Sequence, residues 1–278
     1  MAAQLLGQIY NSEEIAAVRF DEQSQCWVGI HPSTKKQTLR LKGVRSTLSK
    51  SCWPSYSYRE AEKLHPTSSS STVPTGLRNP RHGRIRGIQI HEQLGMVASH
   101  GYEAMCAHLR QKHPNRNDKR GQPHEFVKHI LHRFEQLRWT LVASELPVYN
   151  DRYGSSIDLV CLRRKNNTLI LIELKVGGDN YHRKANGRMQ GVLASSGIDN
   201  SPLSQALVQL GAYKLLFHTC YSKYISGNSS IIDSCRVIFV GQSGIHIEKL
   251  EDEKWEKMAE PLASLLFAPP DAQAGEGK

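Results

Sequence analysis

The chain has 278 residues, 39% of them hydrophobic, and carries 36 Lys and Arg against 26 Asp and Glu, a formal charge of +10. That length suits one large domain, or a core with additions, around a real buried interior. No run of 18 or more apolar residues occurs, which excludes a helical membrane span and leaves no membrane partner to expect. The positive balance fits either plain solubility or a polyanionic partner, most often nucleic acid.

The first twenty residues contain Glu13 and Glu14 and no basic flank before a long apolar stretch, so neither a secretory signal nor a transit peptide is expected. Residues 16–45 alternate and turn like a small β meander, which makes residues 1–65 a β-rich extension. Residues 66–80 are rich in Ser, Thr and Pro and read as a linker. A basic run follows, "RNPRHGRIRG", with Arg78, Arg81, Arg84 and Arg86. Helical spacing then covers residues 88–111 and 123–138, the second with Phe126, Ile130, Leu131, Phe134 and Leu137 on its apolar side and Pro123 in its first turn. Three strands are predicted at 140–149, 156–164 and 168–176. A helix is expected over 202–219, capped by Ser201 with Pro202 at its first position. "RVIFVG" and "GIHIEKL" read as two more strands, and residues 267–278 as a disordered tail. The order predicts an α/β core over 81–266, a central mixed sheet flanked by helices.

The six cysteines, at 26, 52, 106, 161, 220 and 235, form no C-x-x-C pair, so no zinc or iron–sulfur cluster is expected. Their scatter suits an intracellular, reducing compartment, and Cys161 reads as a core residue.

The stretch "SSIDLVCLRRKNNTLILIELKVGG", residues 155–178, carries the chemistry. Two apolar runs flank a polar turn, yet Asp158, Glu173 and Lys175 interrupt them. With the turn centred on Asn166 and Asn167, Asp158 falls opposite Lys175 and Val160 opposite Glu173. Alternation then groups the three charges at one end of one face. The other face holds Ile157, Leu159, Cys161, Ile170, Ile172 and Leu174. Neighbouring carboxylates stay ionised together when a cation neutralises them. Mg²⁺ favours carboxylate oxygen, water and phosphate, and an ammonium alongside can orient water or stabilise a transferring phosphate. The set fits metal-assisted phosphodiester hydrolysis. Read alone, D…ExK also fits a structural ion pair at a hairpin end.

The pattern "GSSID", a turn and "LIELK" resembles the core motif of the PD-(D/E)XK phosphodiesterases. "RGIQIHEQLG" upstream is similar to the G-x-x-x-H-E helix of the RecB-like nucleases, and "QLGAY" downstream to their Q-x-x-x-Y motif. "ELPVY" matches the strand before the hairpin. The motifs stand in family order over residues 83–217, in a group that includes the mitochondrial genome maintenance exonuclease and λ-type exonucleases. The resemblance implies a restriction-endonuclease-like core and an Mg²⁺- or Mn²⁺-dependent DNA nuclease, most simply an exonuclease of replication, repair or recombination. It implies metal ligands at His91, Asp158, Glu173 and the main-chain carbonyl of Leu174. Lys175 would position the nucleophilic water, and Gln209 and Tyr213 would lie beside the substrate strand. A structure-specific or restriction-type endonuclease, or a binding protein that does not cut, stays open.

Three further readings concern the surroundings. Gln205, Gln209 and Tyr213 are spaced by four and share a helix face. Glu92 is expected to face away from His91, and Glu145 to be merely exposed at the start of its strand. The loop 177–191, with Tyr181, Arg183, Lys184 and Arg188, is expected to contact DNA phosphates and stack on a base, joined by Arg84 and Arg86 from the basic run. No G-x-x-x-x-G-K-[ST] motif is present, so no helicase activity is expected.

Overall fold

A computed structural model describes residues 7, 18–21, 26–30, 38–53, 80–115, 117–176, 185, 187–225, 231–241 and 244–269. Three strands, β1 (Val18–Asp21), β2 (Cys26–Ile30) and β3 (Thr38–Gly43), form an antiparallel meander that runs into helix α1 (Val44–Ser51). Helices α2 (Pro80–His100), α3 (Tyr102–Lys112) and α4 (Glu125–Gln136) follow. Then come β4 (Trp139–Tyr149), β5 (Tyr153–Arg163), β6 (Thr168–Val176), α5 (Pro202–Ile225), β7 (Ile232–Gly241), β8 (Gly244–Lys249) and α6 (Asp252–Phe267). Among these residues no helix is long and apolar enough to cross a membrane.

The fold is α/β, with one mixed sheet in the order β1-β2-β3-β5-β6-β7-β8 and β4 paired to β5 off that path. β5 and β6 are antiparallel, β6 and β7 parallel. A parallel pair needs a long crossover, and α5 lies within it. The sheet is buried on both faces. Leu159, Cys161, Ile170, Ile172 and Leu174 pack with Ile90 and Leu94 of α2, Met105 of α3 and Ile130 of α4. Val160, Leu169, Leu171 and Val237 pack with Val208 and Phe217 of α5, Leu262 of α6 and Leu48 of α1. Burial on both sides explains why β5 and β6 read as nearly continuous apolar runs.

The meander is part of the same sheet. Lys42 and Gly43 pair in parallel with Tyr153 and Gly154, and the Lys42 N–H donates to the Arg152 carbonyl at 2.8 Å. Gly154 permits this approach: a Cβ there would stand 2.8 Å from the Trp27 Cβ. On the far side, Gly191 holds φ at +56° and would set a Cβ 1.8 Å from the Ser51 carbonyl oxygen.

Several local expectations change. The helix expected over 88–111 is two helices, because Gly101 at φ +88° leaves the right-handed region. Pro123 precedes α4 instead of entering it; His124 is the cap, its Nδ1 accepting from the Phe126 N–H at 3.1 Å. Helix α6 adds to the predicted elements, and it runs through Pro261, a residue that ordinarily interrupts helical geometry. The hairpin register is two residues away from the expected one: Arg163 pairs with Thr168 and Leu159 with Ile172. Asn167, at φ +56°, closes a four-residue loop whose N–H returns to the Arg163 carbonyl at 2.9 Å. The expected linker and tail lie outside the described residues, apart from Pro80 and residues 267–269.

Two consequences are measurable. Gly154→Ala and Gly191→Ala should each lower stability by about 1–3 kcal/mol in denaturant unfolding, because neither added methyl has room. The thiols of Cys52 and Cys235, pushed up by burial to about 12, should stay unreactive toward a thiol reagent at pH 8 until the protein unfolds.

Candidate metal centre

The β5–β6 ladder ends at Leu159 and Ile172, one residue before Asp158 and Glu173. Beyond it β6 continues alongside β7 as far as Val176, while β5 turns to β3 at Tyr153 and Gly154. The two strands part, and Asp158 spans the opening: its Oδ2 accepts the Leu174 N–H at 2.7 Å. A side-chain carboxylate thus replaces the next backbone rung. Alternation also slips here. Ile157 and Val160 belong to one core layer and Leu159 to the other, so Ile157 does not share a face with Leu159 as expected. On β4 the facing residue, Glu145, holds φ at +50°, an uncommon conformation for a residue with a side chain.

That backbone turn brings Glu145 into the site. Its Oε1 lies 3.0 Å from His91 Nδ1, and its Oε2 accepts from the Ser156 hydroxyl at 2.5 Å. Ligand atoms of His91, Glu145 and Asp158 all stand within 4.8 Å of one another. Glu145 is 52% exposed, so the expectation of exposure is met, but it is also tied to both neighbours. Nothing in the sequence pattern marked it beyond a carboxylate in an apolar strand. On α2, Gly87, His91 and Gly95 are spaced by four and all line the groove.

Glu173 is 2% exposed. Its Oε1 accepts from Lys175 Nζ, and its Oε2 has no hydrogen-bond partner among the described residues. An unsatisfied buried carboxylate oxygen is costly, by roughly 1–3 kcal/mol or more. A groove of about 1050 Å³ joins these groups, lined by His91, Glu145, Asp158, Glu173, Leu174 and Lys175. Gln209 and Tyr213 form its wall from α5. Both are buried, and the Tyr213 hydroxyl accepts from Gln209 Nε2 at 2.5 Å and from the Ser155 hydroxyl at 2.9 Å. Gln205, expected on the same face, bonds instead to Asn200 at 2.8 Å. Glu92 is exposed and lies at the groove edge, outside the group formed by His91, Glu145 and Asp158.

The charges act on one another. Burial and the charge of Glu173 raise the Asp158 carboxyl well above the usual range, opposed by His91 and Lys175. Burial disfavours the protonated His91 imidazole, but the Glu145 hydrogen bond and the charges of Asp158, Glu145 and Glu173 outweigh it, and the ring titrates above its ordinary value. Burial and Glu173 push the Tyr213 hydroxyl well up. These shifts follow from acidic groups crowded together out of water, a repulsion that a nearby positive charge relieves. The donor set of His91, Glu145 and Asp158, carboxylate oxygen with one imidazole, could hold a metal ion; Glu173, expected as a ligand, stands outside that group, its Oε2 buried without a partner among the described residues.

Not every expected residue lines the groove. Arg188 is exposed, and its backbone pairs with that of Asp199 in an isolated antiparallel bridge. Arg86 is half-buried, close enough to His124 to lower its titration after burial has done so. Tyr181, Arg183 and Lys184 lie outside the described residues, and so does the Arg84 side chain.

No family model matches the chain, and no curated protein does. A solved structure titled "Crystal structure of SSO0001" is similar at 15% identity over 68% of this chain and 90% of that one, with a TM-score of 0.23, too low to bear on function.

Glu145→Gln should weaken Mn²⁺ binding roughly tenfold or more in a calorimetric titration while leaving the unfolding midpoint nearly unchanged. Unaltered Mn²⁺ affinity would remove Glu145 from the ligand set.

Proposed function

We propose that the chain is a metal-dependent nuclease, built on a restriction-endonuclease-like core, that hydrolyses phosphodiester bonds in DNA. The observation that carries this reading is the convergence of His91, Asp158, Glu173 and Lys175 on one groove where a β ladder ends. The net charge of +10 and the resemblance of the residues around them to PD-(D/E)XK motifs support it.

Asp158, Glu173, His91 and Glu145 would hold Mg²⁺ or Mn²⁺. When bound, the ion supplies positive charge that stabilises the phosphoryl oxygens and makes water a better nucleophile. The chain's own groups do the rest. The Leu174 N–H fixes the Asp158 carboxylate, so its free oxygen is aimed without reorganisation. Glu173 anchors the Lys175 ammonium, which orients the attacking water and offsets charge growing on the phosphate. Attack forms one P–O bond, breaks the opposite one, and leaves a phosphate on one fragment and a hydroxyl on the other. Tyr213, locked by Gln209 and Ser155, gives the groove a rigid wall on the Glu173 side.

The test is cleavage of end-labelled single- and double-stranded DNA with and without Mg²⁺ or Mn²⁺. Asp158→Asn, Glu173→Ala and Lys175→Ala should each cut activity by roughly 10²-fold or more, the size of loss seen when a charge-stabilising group is removed. Circular dichroism should show the fold retained. Wild-type activity in Asp158→Asn would overturn the proposal. An exonuclease leaves circular DNA intact; an endonuclease opens it. Tight DNA binding with no cleavage under either metal would favour a binding protein.

A further inference from the structure

Residues 38–53, "TLRLKGVRSTLSKSCW", contain two Arg, two Lys and no Asp or Glu. They form β3 and α1. Arg40 and Lys42 alternate along β3; Arg45 and Lys50 stand on α1, whose buried residues are Val44 and Leu48. All four cations are exposed. Among the described residues none of the four joins an ion pair, whereas Arg120, Lys128, Arg163 and Arg164 each do.

These residues line a trough of about 1100 Å³ together with Trp27 and Trp53. Arg45 and Ser155 belong to both this trough and the groove of the metal centre. Ser155 is the residue that donates to Tyr213, so the two spaces share a boundary at Arg45 and Ser155, beside the Tyr213 wall. At the same junction α1 begins on Gly43, with no side-chain cap and no acidic residue in its first turn. The Ser46 and Thr47 hydroxyls turn back to the Gly43 carbonyl and leave the first-turn N–H groups uncapped. Cations without partners, an uncapped helix start and two indoles fit a chain that is anionic at regular intervals and carries flat bases.

We propose that this trough binds the sugar–phosphate backbone of the DNA strand outside the catalytic groove, with Arg45 at the point of entry. The β-rich module at the start of the chain is then part of the substrate path. The inference rests on the nuclease reading for that path, but the binding is measurable without catalysis. Charge complementarity selects nucleic acid over an apolar partner, and the indoles select it over a simple acidic peptide.

The experiment is fluorescence anisotropy in EDTA with labelled oligothymidylates of about 4 and about 20 nucleotides, short enough to fill one site and long enough to leave it. Arg40→Glu/Lys42→Glu/Lys50→Glu should weaken the longer oligonucleotide roughly tenfold or more and leave the shorter within about twofold. The slope of log affinity against log salt should shrink by about 2, from three lost single-strand phosphate contacts. The milder Arg40→Gln/Lys42→Gln/Lys50→Gln protein should change in the same direction, and it decides the matter if the first fails to fold. Unchanged affinity and slope for the longer strand overturn the proposal, as does polyglutamate binding as tightly as the oligonucleotide. Hydrolysis of bis(p-nitrophenyl) phosphate with Mn²⁺ reads the metal centre separately and should be unaffected by these variants. Its absence in the wild type would sink the nuclease reading without touching the binding result.

Discussion

The hydrogen bond from the Leu174 N–H to Asp158 Oδ2 is the contact on which the site depends. In an uninterrupted ladder that N–H would go to a backbone carbonyl of β5. Here β5 and β6 separate after Leu159 and Ile172, and a buried N–H cannot be left without an acceptor. The aspartate satisfies it across the gap. One interaction therefore both ends the pairing and fixes the carboxylate at the place where space opens. A groove forms because the sheet divides, and Asp158 stands at the division.

Charge is tolerated there for connected reasons. Glu173 is buried, and Lys175 bonds one of its oxygens while the other has no partner among the described residues. Asp158 feels that charge and its own burial, and its carboxyl is driven up. His91 and Glu145 approach from α2 and β4, so four separate elements supply the cluster. Mutual repulsion between the carboxylates disfavours the arrangement unless positive charge is near. The two-sided apolar sheet beneath them makes the arrangement possible, because Ile172, Leu171 and Val160 are fully enclosed and resist rearrangement.

The meander and α1 extend this logic. By pairing β3 to Tyr153 and Gly154, the chain uses the edge of β5 that β6 has left. The strand that departs on one side makes room for the strand that arrives. Gly154 is needed because Trp27 and Leu41 close over it. The result places an uninterrupted set of cations next to a cluster of carboxylates, with Arg45 between them.

Much of this was legible in the residues. Alternating and continuous apolar runs marked β4, β5 and β6 to within a few residues, because burial on both faces leaves little freedom in composition. The face shared by Glu173 and Lys175 followed from the period of two alone. Helical spacing likewise put His91 on a helix before the sheet. What tertiary structure decided was every relation that depends on a departure from regular geometry. The register moved by two residues because Asn167 closes a four-residue loop. Ile157 changed layers, and Glu145 turned to His91, at a left-handed residue that no local preference announces. The splitting of β5 from β6 turns on a side-chain to backbone bond that alternation does not foretell, and the arrival of β3 depends on pairing between residues more than a hundred positions apart. Sequence periodicity can name the groups that carry charge, because alternation is a local property. Where those groups meet is set by long-range packing, which periodicity does not encode.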